Sequence, residues 1–473
     1  MNHLLWSLAA VFLVASPAEA QHQYQTDFTA EDFRQRRAAV YDVIGSDIAV
    51  IQGAADVQGF IVFRQSNTFY YLSGLEAASA YMLLDGRSRT TTVYLPHRDP
   101  EREASGGAIM SYEDDELVRQ ISGVESVRPS EKMGLDFSQY LWSAPIPALY
   151  TPHSPDEKYL QSRDEMLSGL GRRIADPWNG RPSKAGHFIH LLSTRYPQFE
   201  IRDLSGALDA MRTIKDAKEI DLIRKASRLA GLGIMEAIRS TRPGVMEYQL
   251  EAAATFVFKT NGARGPGYNA IVGGGQNAWM GHYSANSDPV KDGDLILMDL
   301  APDYHYYTSD VTRMWPANGK YTRDQRDLYG FVVEYHKAFM RYVRPGVTPS
   351  QILDEAAADM RKVLEETSWS NEIYRKACED ALEFRGHIQH PVGMSVHDVG
   401  RHRGKPLEVG MVFSIDPMIW VHEEKLYIRM EDVVVVTEDG VENLSANLPV
   451  EMDDLEELWR EDGIVQKRPA VME

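Results

Sequence analysis

The chain of 473 residues contains a single cysteine, Cys378, so no internal disulfide framework holds it together. It also lacks an excess of basic residues, because 50 Lys and Arg stand against 69 Asp and Glu, giving a net charge of −19. This balance provides no broad basic surface for phosphate contacts, and we expect no nucleic-acid partner. With 43% hydrophobic residues and no collagen-like repeat, the chain is neither disordered nor fibrous.

Long apolar runs are missing as well. A membrane-spanning helix needs about 20 apolar residues, and the longest candidate, residues 4–15, is too short. It is followed by Ala18-Glu19-Ala20, and an apolar segment before Ala-x-Ala is typical of a cleaved signal peptide. We therefore expect residues 1–20 to be removed and the mature protein to be exported, periplasmic or secreted, without integral membrane association. A retained amino-terminal anchor is the alternative.

The sequence pattern changes near residue 205. Before it, short β-rich runs bounded by Gly, Asp or Pro alternate with helical stretches, which predicts an α/β domain over residues 21–205. The predicted strands are residues 48–51, 60–63, 81–84 and 91–95. From residue 204 to 237, apolar residues recur at helical spacing. A second domain is predicted over residues 206–455, followed by a charged tail, 456–473.

The second domain contains a weak internal repeat. The tetrapeptide RPGV at 242–245 recurs 102 residues later at 344–347. Likewise, GDLILMD at 293–299 resembles GMVFSID at 410–416, and each predicted strand ends on an aspartate. A further acid follows each strand, Asp310 in the first half and Glu431 in the second. Two such halves predict a duplicated α/β arrangement.

Acids at strand ends often cap turns, but four in matched places also suit a metal site. Buried unpaired carboxylates are costly, and a cation offsets that cost. Histidines lie nearby in the sequence at 282, 387, 390 and 397. An oxygen-rich set with one histidine suits hard or borderline divalent ions such as Mn²⁺, with Co²⁺, Fe²⁺ or Zn²⁺ possible. Spacing alone leaves the choice of ligands open.

Several motifs in order resemble the aminopeptidase P branch of the pita-bread metallopeptidases, whose relatives include prolidase, creatinase and methionine aminopeptidase. In the second domain these are YNAIVG (268–273), GHY (281–283), DGDL (292–295), SDVTR (309–313), VHDVG (396–400) and IRMED (428–432). In the first domain FRQSNTFYYLSG (63–74) and LPHRDP (95–100) are also similar. The resemblance implies an α/β fold with a creatinase-like amino-terminal domain and a duplicated pita-bread α/β carboxy-terminal domain.

The resemblance also implies a site with two divalent metal ions. Asp299 would hold one ion, Asp310 and Glu431 would bridge both, and His390 and Asp416 would complete the set. The catalytic histidines would be His282 and His397, which would contact the peptide and stabilise the tetrahedral intermediate. Substrate contacts are also assigned to His387 and Arg429, and Arg429 would in addition support Glu431.

Three positions depart from the family pattern. Asp416-Pro417-Met418 stands where the family usually has Glu-Pro-Gly, and an Asp side chain reaches roughly 1.5 Å less far. Asp299-Leu300-Ala301 replaces the usual Asp-Ala-Gly. A family histidine four residues before the metal histidine is absent, and His387 lies three residues before it instead.

These features predict an exopeptidase that releases the first residue from peptides with proline second. A prolidase restricted to Xaa-Pro dipeptides is the first alternative. A second is a binding protein that has kept the pita-bread fold but lost activity, an idea that rests on Asp416. The expected partners are a peptide substrate and further copies of the chain in a homo-oligomer.

Overall fold

The computed structural model describes residues 25–57, 59, 61–386, 390–400 and 404–467. The predicted signal peptide and His387 lie outside these residues. The helices are α1 (Ala30–Ile44), α2 (Asn67–Ser73), α3 (Pro100–Gly106), α4 (Asp115–Ser122), α5 (Met133–Tyr140), α6 (Arg163–Ala175), α7 (Lys184–Arg195), α8 (Ser205–Thr213), α9 (Ala217–Arg239), α10 (Glu247–Thr260), α11 (Arg323–Tyr342), α12 (Pro349–Glu366), α13 (Glu372–Glu383) and α14 (Met452–Trp459). None of the described helices has the length and apolar character that crossing a bilayer requires.

Within the described residues, the strands belong to five sheets. They are β1 (Ile48–Gln52), β2 (Tyr81–Asp85), β3 (Thr90–Leu95), β4 (Ser126–Pro129), β5 (Leu149–Thr151), β6 (Ile201–Asp203), β7 (Gly265–Pro266), β8 (Ile271–Gly274), β9 (Leu295–Asp299), β10 (Pro302–Asp303), β11 (Thr312–Pro316), β12 (Val412–Ile415), β13 (Met418–Val421), β14 (Leu426–Arg429), β15 (Asp432–Thr437) and β16 (Gly440–Asn443).

The amino-terminal half is built on one six-stranded sheet in the order β4-β3-β2-β1-β5-β6. Strands β1 to β3 are antiparallel, whereas β4, β5 and β6 run parallel to their neighbours. Successive residues of β1 point to opposite faces, so Ala49 and Ile51 join the core against α1, while Ile48 and Val50 join the core against α5 and α7. Helices cover both faces, as predicted for an α/β domain.

Three of the four predicted strands are present, but the strand predicted at 60–63 is wrong for its described residues. Residues 61–63 form no strand, and Ile61 and Val62 are 66% and 77% exposed. The next residue, Arg64, turns away to bind Asp303 of the other half at 2.7 Å. A β-branched run needs a neighbouring strand to pair with, and this loop instead leads into α2.

The helical segment predicted from residue 204 is confirmed as two helices, α8 and α9. They are separated at residues 214–216, where Asp216 caps α9 by accepting hydrogen bonds from the backbone of Lys218 and Glu219. At the far end of the chain, residues after α14 return to α9, because Arg239 pairs with Glu461 at 2.5 Å. The described part of the charged tail therefore packs against the carboxy-terminal half.

The carboxy-terminal half contains two similar three-stranded sheets, β11-β9-β8 and β12-β15-β16. The hairpin β13–β14 forms a separate sheet and lies between β12 and β15 in chain order. The two RPGV segments form equivalent turns between α9 and α10 and between α11 and α12. Both turns place glycine in the left-handed region, with φ of +93° at Gly244 and +83° at Gly346, which other residues rarely adopt. The predicted duplication is confirmed in this arrangement.

Candidate active site

The four acids singled out in the sequence lie at the ends of paired strands. Asp299 ends β9, Asp310 lies just before β11, Asp416 follows β12 and Glu431 precedes β15. Antiparallel pairing puts the end of one strand beside the start of the next. The register is Asp299 opposite Thr312 in the first half and Ile415 opposite Asp432 in the second. All four carboxylates are buried.

His390 completes a compact cluster with two of these acids. Its Nε2 atom lies 3.1 Å from Asp310 Oδ2 and 3.7 Å from Glu431 Oε1. One donor atom from each of the three residues lies within 4.8 Å of the others. This spacing is short enough for a single cation to contact all three.

Asp299 and Asp416 border this cluster. The Tyr268 hydroxyl lies 2.6 Å from Asp299 Oδ1 and 2.7 Å from Asp310 Oδ1. Arg429 donates to Asp299 Oδ2 and lies 3.8 Å from Glu431 Oε2. The arginine implied to support Glu431 is thus nearest to Asp299.

Two buried carboxylate oxygens test whether the site suits a metal. Among the described residues, none donates a hydrogen bond to Asp416 Oδ1 or to Glu431 Oε1. Buried oxygens without a donor are rare and costly. A divalent cation would satisfy both, and carboxylate oxygens with one imidazole form a donor set that such ions accept. The residues present therefore fit a divalent metal ion.

The electrostatics of the cluster agree with this fit. Burial and the charges of Glu431 and Asp299 raise the pKa of Asp310 to about 7. Burial and the charge of Glu431 raise the pKa of Asp416 well above its usual value. In contrast, Arg429 and His390 overcome the effect of burial and lower the pKa of Glu431 to about 2. Without a cation the carboxylates repel one another, so metal binding would displace protons from the site.

His282 and His397 lie at the wall of a cavity of about 500 Å³. Most of the remaining lining comes from α6 and the residues before it, in the amino-terminal half. The rings of His397 and His390 are 4.4 Å apart and inclined at 67°, which places His397 directly beside the acid cluster. Burial and the neighbouring Arg429 and His397 lower the pKa of His282, which favours its neutral form.

Asp416-Pro417-Met418, which stands where the family usually has Glu-Pro-Gly, leads from β12 into β13. Met418 begins β13 opposite Arg429, and its Sδ lies 3.4 Å from the Tyr427 hydroxyl. Asp416 is 6% exposed and lies close enough to Glu431 for the charge of Glu431 to raise the pKa of Asp416. The shorter acid therefore still borders the cluster.

The sequence predicts no role for two residues at this site, Tyr268 and Asp164. Tyr268 is the more detectable of the two because it begins YNAIVG. Asp164 has no local signal, since it contacts His397 across 233 residues of chain. His387 lies outside the described residues and is not placed.

Comparison with known proteins identifies the same two halves. The family described as metallopeptidase family M24 matches residues 221–438, and the aminopeptidase P N-terminal domain matches residues 33–147. The chain is 28% identical over 461 residues to the Xaa-Pro aminopeptidase of Haemophilus influenzae, covering 92% of this chain and 98% of that protein. It is 34% identical over 266 residues to the Xaa-Pro aminopeptidase of Escherichia coli, covering 52% and 59%.

Solved structures show the same similarity over nearly the whole length. Proline aminopeptidase P II from Yersinia pestis superimposes with a TM-score of 0.73 at 27% identity, covering 91% of this chain and 99% of that one. A match of this extent includes most of both halves of the chain. The chain therefore belongs to the pita-bread metallopeptidases, metal-dependent hydrolases, in the branch that carries the aminopeptidase P amino-terminal domain.

Proposed function

We propose that this protein is a metal-dependent Xaa-Pro aminopeptidase, which releases the first residue from peptides with proline in second position. One observation carries the proposal. Four buried carboxylates and one half-buried imidazole adjoin a cavity whose wall includes His282 and His397. Such a site suits hydrolysis of a peptide bond, and the relatives named above are Xaa-Pro aminopeptidases.

The proposed ligands are Asp299, Asp310, His390, Asp416 and Glu431, and we propose two ions. Even with Arg429 beside them, four ionised carboxylates carry more negative charge than one divalent ion neutralises, and buried negative charge would remain uncompensated. Mn²⁺ is the preferred ion because oxygen donors outnumber nitrogen, with Co²⁺, Fe²⁺ and Zn²⁺ as the other candidates. When bound, such ions lower the pKa of a water molecule and polarise a carbonyl group.

The histidines and the arginine have separate roles in this proposal. His397 and His282 bind the substrate beside the ligands and donate hydrogen bonds to the oxygen that gains negative charge. Arg429 holds Asp299 in place and keeps Glu431 ionised. The wall formed by the amino-terminal half narrows the cavity and orients the peptide. His387 is proposed as a further substrate contact.

A peptide series tests the reaction. The mature chain should cleave an Xaa-Pro-Yaa tripeptide after Xaa, and the same peptide with Ala in place of Pro much more slowly. A chelator should abolish this activity, and Mn²⁺ or Co²⁺ should restore it. Cleavage of only the Xaa-Pro dipeptide would make the protein a prolidase. Binding of Xaa-Pro-Yaa without hydrolysis in the metal-loaded protein would make it an inactive binding protein.

Export and self-association are further proposals. The amino-terminal run and Ala18-Glu19-Ala20 support export and cleavage after Ala20, which mass spectrometry of the mature protein would detect as a chain beginning at Gln21. An intact amino terminus would contradict this. Light scattering of the purified protein tests the proposed homo-oligomer, and the mass of one chain at assay concentration would overturn it.

A further inference from the structure

His397 is held by two residues from the amino-terminal half. Its Nδ1 atom lies 2.9 Å from Asp164 Oδ2, and its backbone N–H donates to Ser162 Oγ at 3.1 Å. Asp164 is the second residue of α6 and lines the same cavity as His282 and His397. One short segment thus fixes both the backbone and the ring of His397.

The contact with Asp164 determines which ring nitrogen faces the substrate. An ionised carboxylate accepts hydrogen bonds and donates none, so the His397 Nδ1 atom must carry the proton that it shares. His397 Nε2 is then the atom left for the peptide, and the ring cannot rotate without breaking the bond. The ring of His390 packs against His397 and limits its movement further.

The first turn of α6 is itself held in place by charged contacts. Arg163 lies 3.0 Å from Glu157 and 2.5 Å from Asp209. Arg212 contacts the same Glu157 and also reaches Asp398, the residue after His397, at 2.5 Å. Glu157, Arg212 and Asp398 are each less than a tenth exposed. This network of ion pairs connects the start of α6 to the backbone segment that carries His397.

The remainder of α6 contributes little to its own placement. The structure describes all 13 of its residues, and none of them is buried. The helix therefore depends on its amino-terminal contacts, which are the ones that reach His397.

We propose that Asp164 is a positioning residue for catalysis, supplied by the amino-terminal domain and acting through His397. This inference depends on the proposed function, because it assumes that His397 contacts the reacting peptide. Asp164 fixes the direction of the His397 ring, with its Nε2–H toward the reacting oxygen, and touches neither the metal ligands nor the scissile bond. Its loss should therefore slow turnover while leaving metal content and substrate affinity nearly unchanged.

The experiment compares Asp164→Asn and Asp164→Glu with the unaltered protein. The Asp164 side chain is 61% exposed, so neither change should prevent folding. We expect Asp164→Asn to lower kcat by about tenfold to a hundredfold, by analogy with removing a carboxylate that orients a metal-ligating histidine. KM should change less than threefold, metal content should not change, and Asp164→Glu should recover most of kcat.

Asp324→Asn is the matched control. Asp324 is the second residue of α11, as Asp164 is of α6, and it accepts a hydrogen bond from an exposed serine, Ser370, at 2.5 Å. The Asp324→Asn substitution removes a charge at the same position of a helix, and Asp324 does not line the cavity. We expect unchanged kcat and KM.

A double-mutant cycle separates positioning through His397 from a general structural role. In a His397→Ala background, Asp164→Asn should lower kcat no further. An additional loss there, a loss confined to KM, a change in metal content, or equal losses in the Asn and Glu variants would each overturn the inference. Full activity of Asp164→Asn would also overturn it. Failure of the unaltered, metal-loaded protein to cleave Xaa-Pro-Yaa would instead refute the proposed function.

Discussion

Thr312 and Glu431 join the two halves of the pita-bread domain at the candidate metal site. Each donates its backbone N–H to the carbonyl oxygen of the other at 3.1 Å. The Thr312 hydroxyl also donates to Glu431 Oε2 at 3.0 Å. The contact that connects the two sheets therefore also orients one of the proposed bridging ligands.

Thr312→Val should weaken metal binding by about tenfold to a hundredfold, because Glu431 loses a hydrogen bond that orients its carboxylate. The backbone bridge should persist, since valine suits a strand. Calorimetric titration of the chelated protein with Mn²⁺ would measure the change. As a control, Thr91→Val removes a buried 2.6 Å contact with the Tyr41 hydroxyl and should cost about 1 kcal/mol of stability. Weakened metal binding in Thr91→Val would show that the effect is not specific.

His397→Ala should keep its metal and lose about 10²-fold or more in kcat, the scale of one lost hydrogen-bond donor to the reacting oxygen. Steady-state kinetics together with metal analysis would test this. His305→Ala is the control, because His305 also pairs with an aspartate, Asp27, at 2.8 Å and is exposed. Near-normal kcat in His397→Ala would contradict its proposed role.

Asp416→Ala should bind one ion fewer per chain and lose most activity. Because no described residue donates to Asp416 Oδ1, the chelated variant should unfold at the same or a higher urea concentration than the chelated unaltered protein. Asp416→Glu should not improve the enzyme, since an added methylene crowds a buried site shaped around aspartate. Two ions bound at undiminished affinity in Asp416→Ala would exclude Asp416 as a ligand.

Asp398→Asn should destabilise the chelated protein by about 3–5 kcal/mol at pH 7, because it leaves Arg212 and Lys215 with an uncompensated buried charge. These two residues overcome the effect of burial and lower the pKa of Asp398. A lowered pKa stabilises the fold above the unfolded pKa of about 3.9, and this contribution is lost as the pH falls through the folded value. The difference between the two proteins should therefore shrink below about pH 4.

Urea unfolding of both chelated proteins from pH 7 to pH 3 would measure this trend. A difference that stays constant with pH would contradict the assignment to the Asp398 charge. Asp115→Asn is the control, since Asp115 forms an exposed pair with Arg119 at 2.9 Å and should contribute less than about 1 kcal/mol.

Much of the fold follows from short-range sequence patterns. Runs at 48–51, 81–84 and 91–95 alternate or concentrate β-forming residues and become β1, β2 and β3. The duplication is visible in the sequence because both halves repeat the same local features. Each half has an RPGV turn and an apolar strand segment followed by an aspartate, Asp299 or Asp416. The strand ends pointed to a group of acids, but the choice of ligands came from the family resemblance and not from their spacing.

Tertiary structure decided what no local pattern encodes. Residues 61–63 have the composition of a strand but find no partner to pair with. Tyr268 lies between Asp299 and Asp310 only because β8 and β9 pair in their observed register. Asp164 reaches His397 because the charged network through Arg212 brings the two domains together. Such contacts join residues that are distant in the chain, and their formation depends on how whole elements pack rather than on the residues beside them in the sequence.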